Sequence, residues 1–349
     1  MTQPRGSAAS WSALALAWLL GACADGAGAS PPSETHMDVS AIVAPEGFPA
    51  LVAPEDNLPT RERVELGRLL FYDGRLSRTE DVACSSCHLQ ANAFADPNRL
   101  SLGVDGQLGT RNAPALVNLA WGRAFFWHGG AASLEVQAIG PIKNPVEMDM
   151  SLLEVAERLN ADQALAKEFQ GAYAEPATES SITRALASFV RSLVSSDSPY
   201  DAYLAGDTSA LSEAAVRGEA LFNGERGECF HCHVGFDLSN HGFRNNGIAA
   251  DDPDEGRREV TLKDSDLGKF KVPTLRNVAV SAPYMHDGSL ATLDDVLDAY
   301  VAGGRGHPNT DPLIKPLDLN ADEKADLRAF LEALTDERFL ANPDYAKPE

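Results

Sequence analysis

Apolar residues recur at helical spacing in several stretches of the chain. The stretch from Thr60 to Tyr72 reads as a helix, with Val64, Leu66, Leu70 and Phe71 apolar. A second stretch follows Ser212, with Val216, Leu221 and Phe222. Ile182, Leu186, Phe189 and Leu193 form one amphipathic face; Leu327, Phe330, Leu331 and Leu334 form another, behind the capping pair Asn320 and Glu323. Thr292 and Asp295 make a further capping pair. The helix they open carries Leu293, Val296 and Tyr300 on one face and stops at Gly303-Gly304. Strand alternation is scarce, and stretches such as 96–114 and 235–275 are rich in Gly, Pro and Asn. The pattern predicts a mostly α protein with long irregular loops. It also repeats: Gly67 and Phe71 match Gly218 and Phe222, each pair in a helix that leads to a Cys-x-x-Cys-His string. A glycine inside a helix marks a close approach. Two like modules are expected, 59–205 and 206–349, meeting near Pro199–Ala210.

The first 58 residues follow other rules. After Arg5, an apolar run from Trp11 to Leu20 is too short to span a bilayer as a mature helix and reads as an export signal over 1–22. It ends in Leu20-Gly21-Ala22-Cys23, a lipobox pattern that would make Cys23 the lipidated first residue; an ordinary signal with a chance cysteine is the alternative. Residues 24–46 are rich in Ala, Gly, Ser and Pro, and 23–58 is read as the lipidated cysteine and a flexible tether. Membrane attachment would then be through lipid alone, on the periplasmic side of a bacterial envelope. Lys+Arg number 29 against 51 Asp+Glu, and the formal net charge is −22. That balance excludes a nucleic-acid partner and suits docking on a basic protein.

Cysteines decide the chemistry. Apart from Cys23, they form Cys84-Ser85-Ser86-Cys87-His88 and Cys229-Phe230-His231-Cys232-His233. In this spacing two thiols reach the vinyl groups of a c-type haem and the adjacent imidazole reaches the iron. One Cys₄ zinc site would give no reason for a histidine after each pair. Two local disulfides are allowed in an exported protein, and a thioredoxin-like motif lacks its βαβ setting. Two such strings, each behind a matching helix, predict two covalently bound haems, with His88 and His233 as proximal ligands and His231 a bystander.

Further strings carry a resemblance. They are Arg111-Asn112-Ala113-Pro114, Phe125-Phe126-Trp127, Gly140-Pro141-Ile142, Asn144-Pro145-Val146-Glu147-Met148, Val272-Pro273-Thr274-Leu275-Arg276-Asn277 and Ala282-Pro283-Tyr284-Met285-His286-Asp287-Gly288. With both haem strings, they make residues 60–335 resemble the diheme bacterial cytochrome c peroxidase / MauG family. Pro45-Glu46-Gly47-Phe48-Pro49 and the lipobox are similar to its MbnH-like branch. The resemblance implies two cytochrome c-like haem domains and an oxidoreductase that consumes hydrogen peroxide at the first haem. It implies Trp127 as an inter-haem relay and Glu147 as distal acid–base, helped by Gln137, with Pro141 lining the pocket. It further implies a calcium held by Asn112 and the carbonyls of Ser281 and Pro283. From the residues alone, Trp127 reads as a core aromatic, Glu147 as a surface carboxylate and Asn112 as a loop residue.

Two departures from the ordinary peroxidases matter. Residues 89–127 contain no histidine to close the first haem's distal side, so that position should be open without activation; His128 follows Trp127 but is not expected to ligate. Tyr300 stands where those peroxidases place a methionine on the second haem, as in the MauG- and MbnH-like branch. A packed tyrosine is the alternative. Methionine would raise that haem's potential, whereas phenolate favours higher oxidation states. The expectation is a diheme c-type peroxidase-family oxidoreductase that draws on a redox partner protein. One alternative is an enzyme that oxidises aromatic residues of a partner; another is a plain electron-transfer cytochrome.

Overall fold

The computed structural model describes residues 42–248 and 253–349. The export signal, Cys23 and the first part of the tether lie outside the described residues. Eleven α-helices occur among them: α1 (Arg61–Phe71), α2 (Leu134–Lys143), α3 (Leu152–Asn160), α4 (Gln163–Tyr173), α5 (Glu179–Ser192), α6 (Pro199–Leu204), α7 (Glu213–Phe222), α8 (Arg258–Thr261), α9 (Leu293–Val301), α10 (Ala321–Glu332) and α11 (Glu337–Leu340). The only sheet among these residues pairs β1 (Phe243–Arg244) with β2 (Phe270–Lys271), antiparallel. The protein is mostly α, as the spacing predicts, and 96–114 and the described parts of 235–275 are largely irregular. None of the described helices is long and apolar enough to cross a membrane.

Helix starts follow local chemistry. Thr60 accepts from the Arg63 N–H to cap α1, and Ser212 accepts from the Ala215 N–H to cap α7. The pairs Thr292/Asp295 and Asn320/Glu323 form reciprocal capping boxes at α9 and α10. Such a cap is worth about 1 kcal/mol. Burying one large apolar side chain is worth about 1.5–3 kcal/mol, so packing dominates. Two apolar clusters supply it. One gathers Leu70, Phe71, Phe94, Phe169 and Phe189; the other gathers Phe222, Leu297, Leu327 and Phe330.

Each cluster is built on a crossing of two helices, α1 over α5 and α7 over α10. A Cβ on Gly67 would lie 2.0 Å from the Ala185 carbonyl oxygen, and one on Gly218 would lie 1.9 Å from that of Asp326. Nothing larger than hydrogen fits there. The matched glycines therefore admit a neighbouring helix backbone, not a prosthetic group.

A second register runs through the loops. Pro114, Asn118, Trp127, Ser133 and Pro141 recur 159 positions later as Pro273, Asn277, His286, Thr292 and Tyr300. Asn118 and Asn277 both take left-handed backbone angles, φ 56° and 60°, as do Phe126 and Met285. Bridges Phe125–Ala131 and Tyr284–Leu290 close equivalent loops, and Ser133 and Thr292 cap α2 and α9. The two copies grip each other reciprocally. The Asn112 N–H donates to the His286 carbonyl (2.7 Å), and the equivalent Lys271 N–H donates to the Trp127 carbonyl (2.8 Å).

Residues 42–58 differ from the expected tether. The Phe48 ring packs 5.3 Å from Trp121 and 4.7 Å from Phe236, and the Trp121 indole donates to the Pro49 carbonyl. Asn57 is buried and donates to Glu135 and to the Arg184 carbonyl. An aromatic anchor and a satisfied buried amide hold this stretch on the body, so it is not a free linker.

Candidate active site

Both Cys-x-x-Cys-His strings fold into the same tight turn. The N–H groups of Cys87 and His88 donate to the Cys84 carbonyl, and those of Cys232 and His233 donate to the Cys229 carbonyl. One helical turn thus brings both thiols and the imidazole together. Each imidazole is then oriented by a carbonyl: His88 Nδ1 lies 2.6 Å from the Phe94 oxygen, and His233 Nδ1 lies 3.1 Å from the Leu238 oxygen. A carbonyl only accepts, so Nδ1 carries the proton and the Nε2 lone pair is left for a metal. Burial lowers both imidazoles, His233 to about 4, and pushes the Cys84 and Cys229 thiols up to about 12. All four thiols are free. Among the described residues no three His, Cys, Asp or Glu side chains converge as a metal site, which removes the zinc alternative.

The first cavity, about 430 Å³, brings together Cys84, Cys87, His88, Gln137, Pro141 and Glu147. Asn112 and Trp127 line it too. Glu147 sits in a tight turn after α2. Its Oε1 accepts from Asn144 Nδ2 (2.6 Å), and its carbonyl accepts from the Val104 N–H. A Cβ on Gly103 would lie 2.0 Å from the Val146 carbonyl, so glycine lets that loop clamp the turn. Burial pushes the Glu147 carboxyl up, and the Asn144 donor opposes it. A carboxyl with a raised pKa against an apolar wall suits proton transfer. Pro141 lies inside α2 and has no N–H, which leaves the Gln137 carbonyl without its helical donor. His128 lines this cavity as well, its buried Nδ1 unbonded and its Nε2 3.9 Å from Glu259.

If Glu147 accepts the peroxide proton, the reaction is fastest above its pKa and is lost as pH falls through it. Asn144→Ala removes a bond that favours the carboxylate. The acid limb of the rate profile should then move to higher pH, as stopped-flow mixing would show. An unmoved limb would separate Asn144 from the chemistry.

The second cavity, about 280 Å³, is lined by Cys229, Cys232, His233 and Tyr300, with Asn112, Trp127, Ser281, Pro283, Met285 and His286 also on its wall. Burial pushes the Tyr300 hydroxyl up to about 12, opposed by a hydrogen bond with Asn246. Asn246 also donates to the Met285 sulfur at 3.3 Å. Trp127 is on the wall of both cavities and donates from its indole to the Asn112 carbonyl (2.8 Å). The Asn112 amide nitrogen is spent on the carbonyls of Asn98 and Arg99, and its Oδ1 makes no hydrogen bond among the described residues. His231 lines neither cavity and lies against Phe230.

Residues 61–209 match the family described as di-haem cytochrome c peroxidase. Over 334 residues the chain is 38% identical to methylamine utilization protein MauG of Methylorubrum extorquens, covering 91% of this chain and 94% of that one. The chain belongs to the di-haem cytochrome c peroxidase family. It is also 35% identical to cytochrome c551 peroxidase of Nitrosomonas europaea, over 85% of this chain and 84% of the other. Among solved structures it is similar to a MauG-like protein associated with microbial copper homeostasis, with a TM-score of 0.83 and 38% identity, covering 87% and 98% of the two chains.

As a member of this family it is a peroxidase-type haem oxidoreductase, and the family's cofactors are two c-type haems. The two cavities fit that cofactor. Each offers two unbridged thiols, an imidazole with Nε2 free and an apolar wall: Phe71, Leu134 and Leu186 in the first, Phe222, Leu297 and Leu331 in the second. Sequence reasoning missed the supporting groups. These are the carbonyls of Phe94 and Leu238 and the Asn144 and Asn246 amides. The carbonyls carry no side-chain signal. Asn144 was visible only as part of a family string.

Proposed function

We propose that this di-haem peroxidase reduces hydrogen peroxide in the first cavity and takes the two electrons from an aromatic side chain of a partner protein. The observation that carries the reading is Tyr300 on the wall of the cavity that holds His233. Similarity to MauG and to a MauG-like protein supports it. Haem in these cavities would be held by Cys84, Cys87 and His88 and by Cys229, Cys232, His233 and Tyr300, and would supply iron that binds peroxide and exchanges electrons with it. Glu147 would take a proton from one peroxide oxygen and return it to the other, which leaves as water. In balance, peroxide, two protons and two electrons give two waters. Gln137 and Pro141 shape the space beside Glu147. Trp127, common to both cavities, relays charge between them. Asn112 Oδ1, with the Ser281 and Pro283 carbonyls, offers the hard oxygen donors of a calcium site.

A small cytochrome as electron source is the second reading, favoured by similarity to a cytochrome c551 peroxidase. The test is peroxide addition to the fully oxidised holoprotein with no reductant. An open first haem should consume one peroxide per chain at once, with both haem spectra changing. A reaction that begins only after partial reduction would overturn the reading. The enzyme is also proposed to work on the periplasmic side, anchored by lipid on Cys23. Cys23→Ser should release it in soluble form, and a native protein that is already soluble and starts elsewhere would refute the anchor.

A further inference from the structure

Six residues line both cavities: Asn112, Pro114, Ala115, Leu119, Trp127 and Lys271. Only Lys271 is charged. Its place follows from the second register, in which Lys271 is the counterpart of Asn112 and both are pinned by equivalent backbone bonds to His286 and Trp127. The two counterparts differ in chemistry. The Asn112 amide is occupied by loop carbonyls, whereas the Lys271 ammonium makes no hydrogen bond and no ion pair among the described residues. The other Lys and Arg side chains on the cavity walls are already paired. Arg111 holds Asp254 and Glu259, Arg244 holds Asp311, and Lys315 holds Glu228. Burial lowers the Lys271 ammonium from its usual value, and Asp237, acting from a distance, opposes that only weakly, because its carboxylate is bound by Asn118 and burial pushes it up to about 7.

A c-type haem attached through its vinyl groups and ligated through its iron still carries two propionate carboxylates. Two haems bring four such groups into a chain of net charge −22. A buried carboxylate needs a cation or hydrogen-bond donors. We propose that Lys271 is the shared counter-charge of the two haems, pairing with propionate carboxylates where the cavities meet and holding both haem potentials up together. The inference rests on the haem reading of the two cavities. Its physical basis is that a fixed positive charge in a poorly screened interior disfavours the more positive ferric state. One residue that serves both haems moves both potentials in the same direction.

The experiment is spectroelectrochemical titration of the holoprotein, with each haem followed by its own signal. In Lys271→Met the ferric–ferrous equilibrium of each haem should shift about tenfold toward ferric, a fall of about 59 mV for a one-electron couple. Lys271→Arg keeps the charge and should stay near wild type. Unmoved potentials in Lys271→Met, or a shift at one haem alone, overturn the shared counter-charge. If Lys271→Met fails to mature, Lys271→Gln against Lys271→Arg makes the same comparison, and equal potentials in that pair overturn it. A wild type with fewer than two covalently bound haems would instead sink the haem reading beneath it, and haem content measured on the same samples tells the two failures apart.

Discussion

Replacing Glu147 with glutamine slows the reaction with peroxide by about 10²- to 10⁴-fold, the usual worth of a positioned proton shuttle. Glutamine keeps the size of the side chain and a carbonyl oxygen that can still accept from Asn144. The turn itself is held by backbone bonds and by the Gly103 loop, so it should survive the change. What is lost is a group able to take a proton and give it back. The loss should fall on the rate constant for peroxide, read by rapid mixing, while haem content and peroxide-free spectra stay those of the wild type. Gln137 lines the same cavity but has no titrating group, so it cannot replace the function. A Glu147→Gln enzyme as fast as the parent would move the acid–base role elsewhere. His128, whose Nδ1 is unbonded on the same wall, is then the next group to test.

The parts of this site that were legible in the sequence are the short-range ones. Cys84, Cys87 and His88 fall within one helical turn, so spacing alone dictates their convergence, and the same holds for Cys229, Cys232 and His233. Ser212, Thr292 and Asn320 announce their helices because a cap acts within three residues. The glycines at 67 and 218 were recognisable as close approaches, but the partner was not, since Ala185 and Asp326 lie more than a hundred residues away in each case. Glu147 and Trp127 emerged only through family strings, because no local rule separates one carboxylate from fifty others. The second register was missed for a different reason. The two Cys-His strings lie 145 positions apart and the later loops 159, so a longer connection before β2 hides the match. Pro114-x-Leu116-x-Asn118 against Pro273-x-Leu275-x-Asn277 is the signal that could have revealed it. Read in that register, Pro141 and Tyr300 are counterparts, one on each cavity wall. The position that holds a non-ligating ring in the first cavity holds a phenol in the second.

That difference sets the largest expected effect at the second haem. Tyr300→Phe should keep both haems covalently bound, because Cys229, Cys232 and the His233 turn do not depend on the hydroxyl. Met285, whose sulfur already takes a bond from Asn246 on the same wall, is the nearest substitute ligand in chemical terms. The resting spectrum of the second haem should therefore change spin state or take on a methionine signature. A hard anionic oxygen favours the oxidised iron, and a thioether favours the reduced one. Without the phenol, the two oxidising equivalents delivered by peroxide should no longer persist across the two haems, and oxidation of a partner's aromatic side chain should be abolished. Tyr300→Met should raise the second haem's potential and move the enzyme toward electron intake from a cytochrome. Resonance Raman and magnetic resonance spectra of the resting wild type decide the matter. Methionine or histidine opposite His233 would make Tyr300 a packing residue only, and the partner-oxidising reading would lose the observation that carries it.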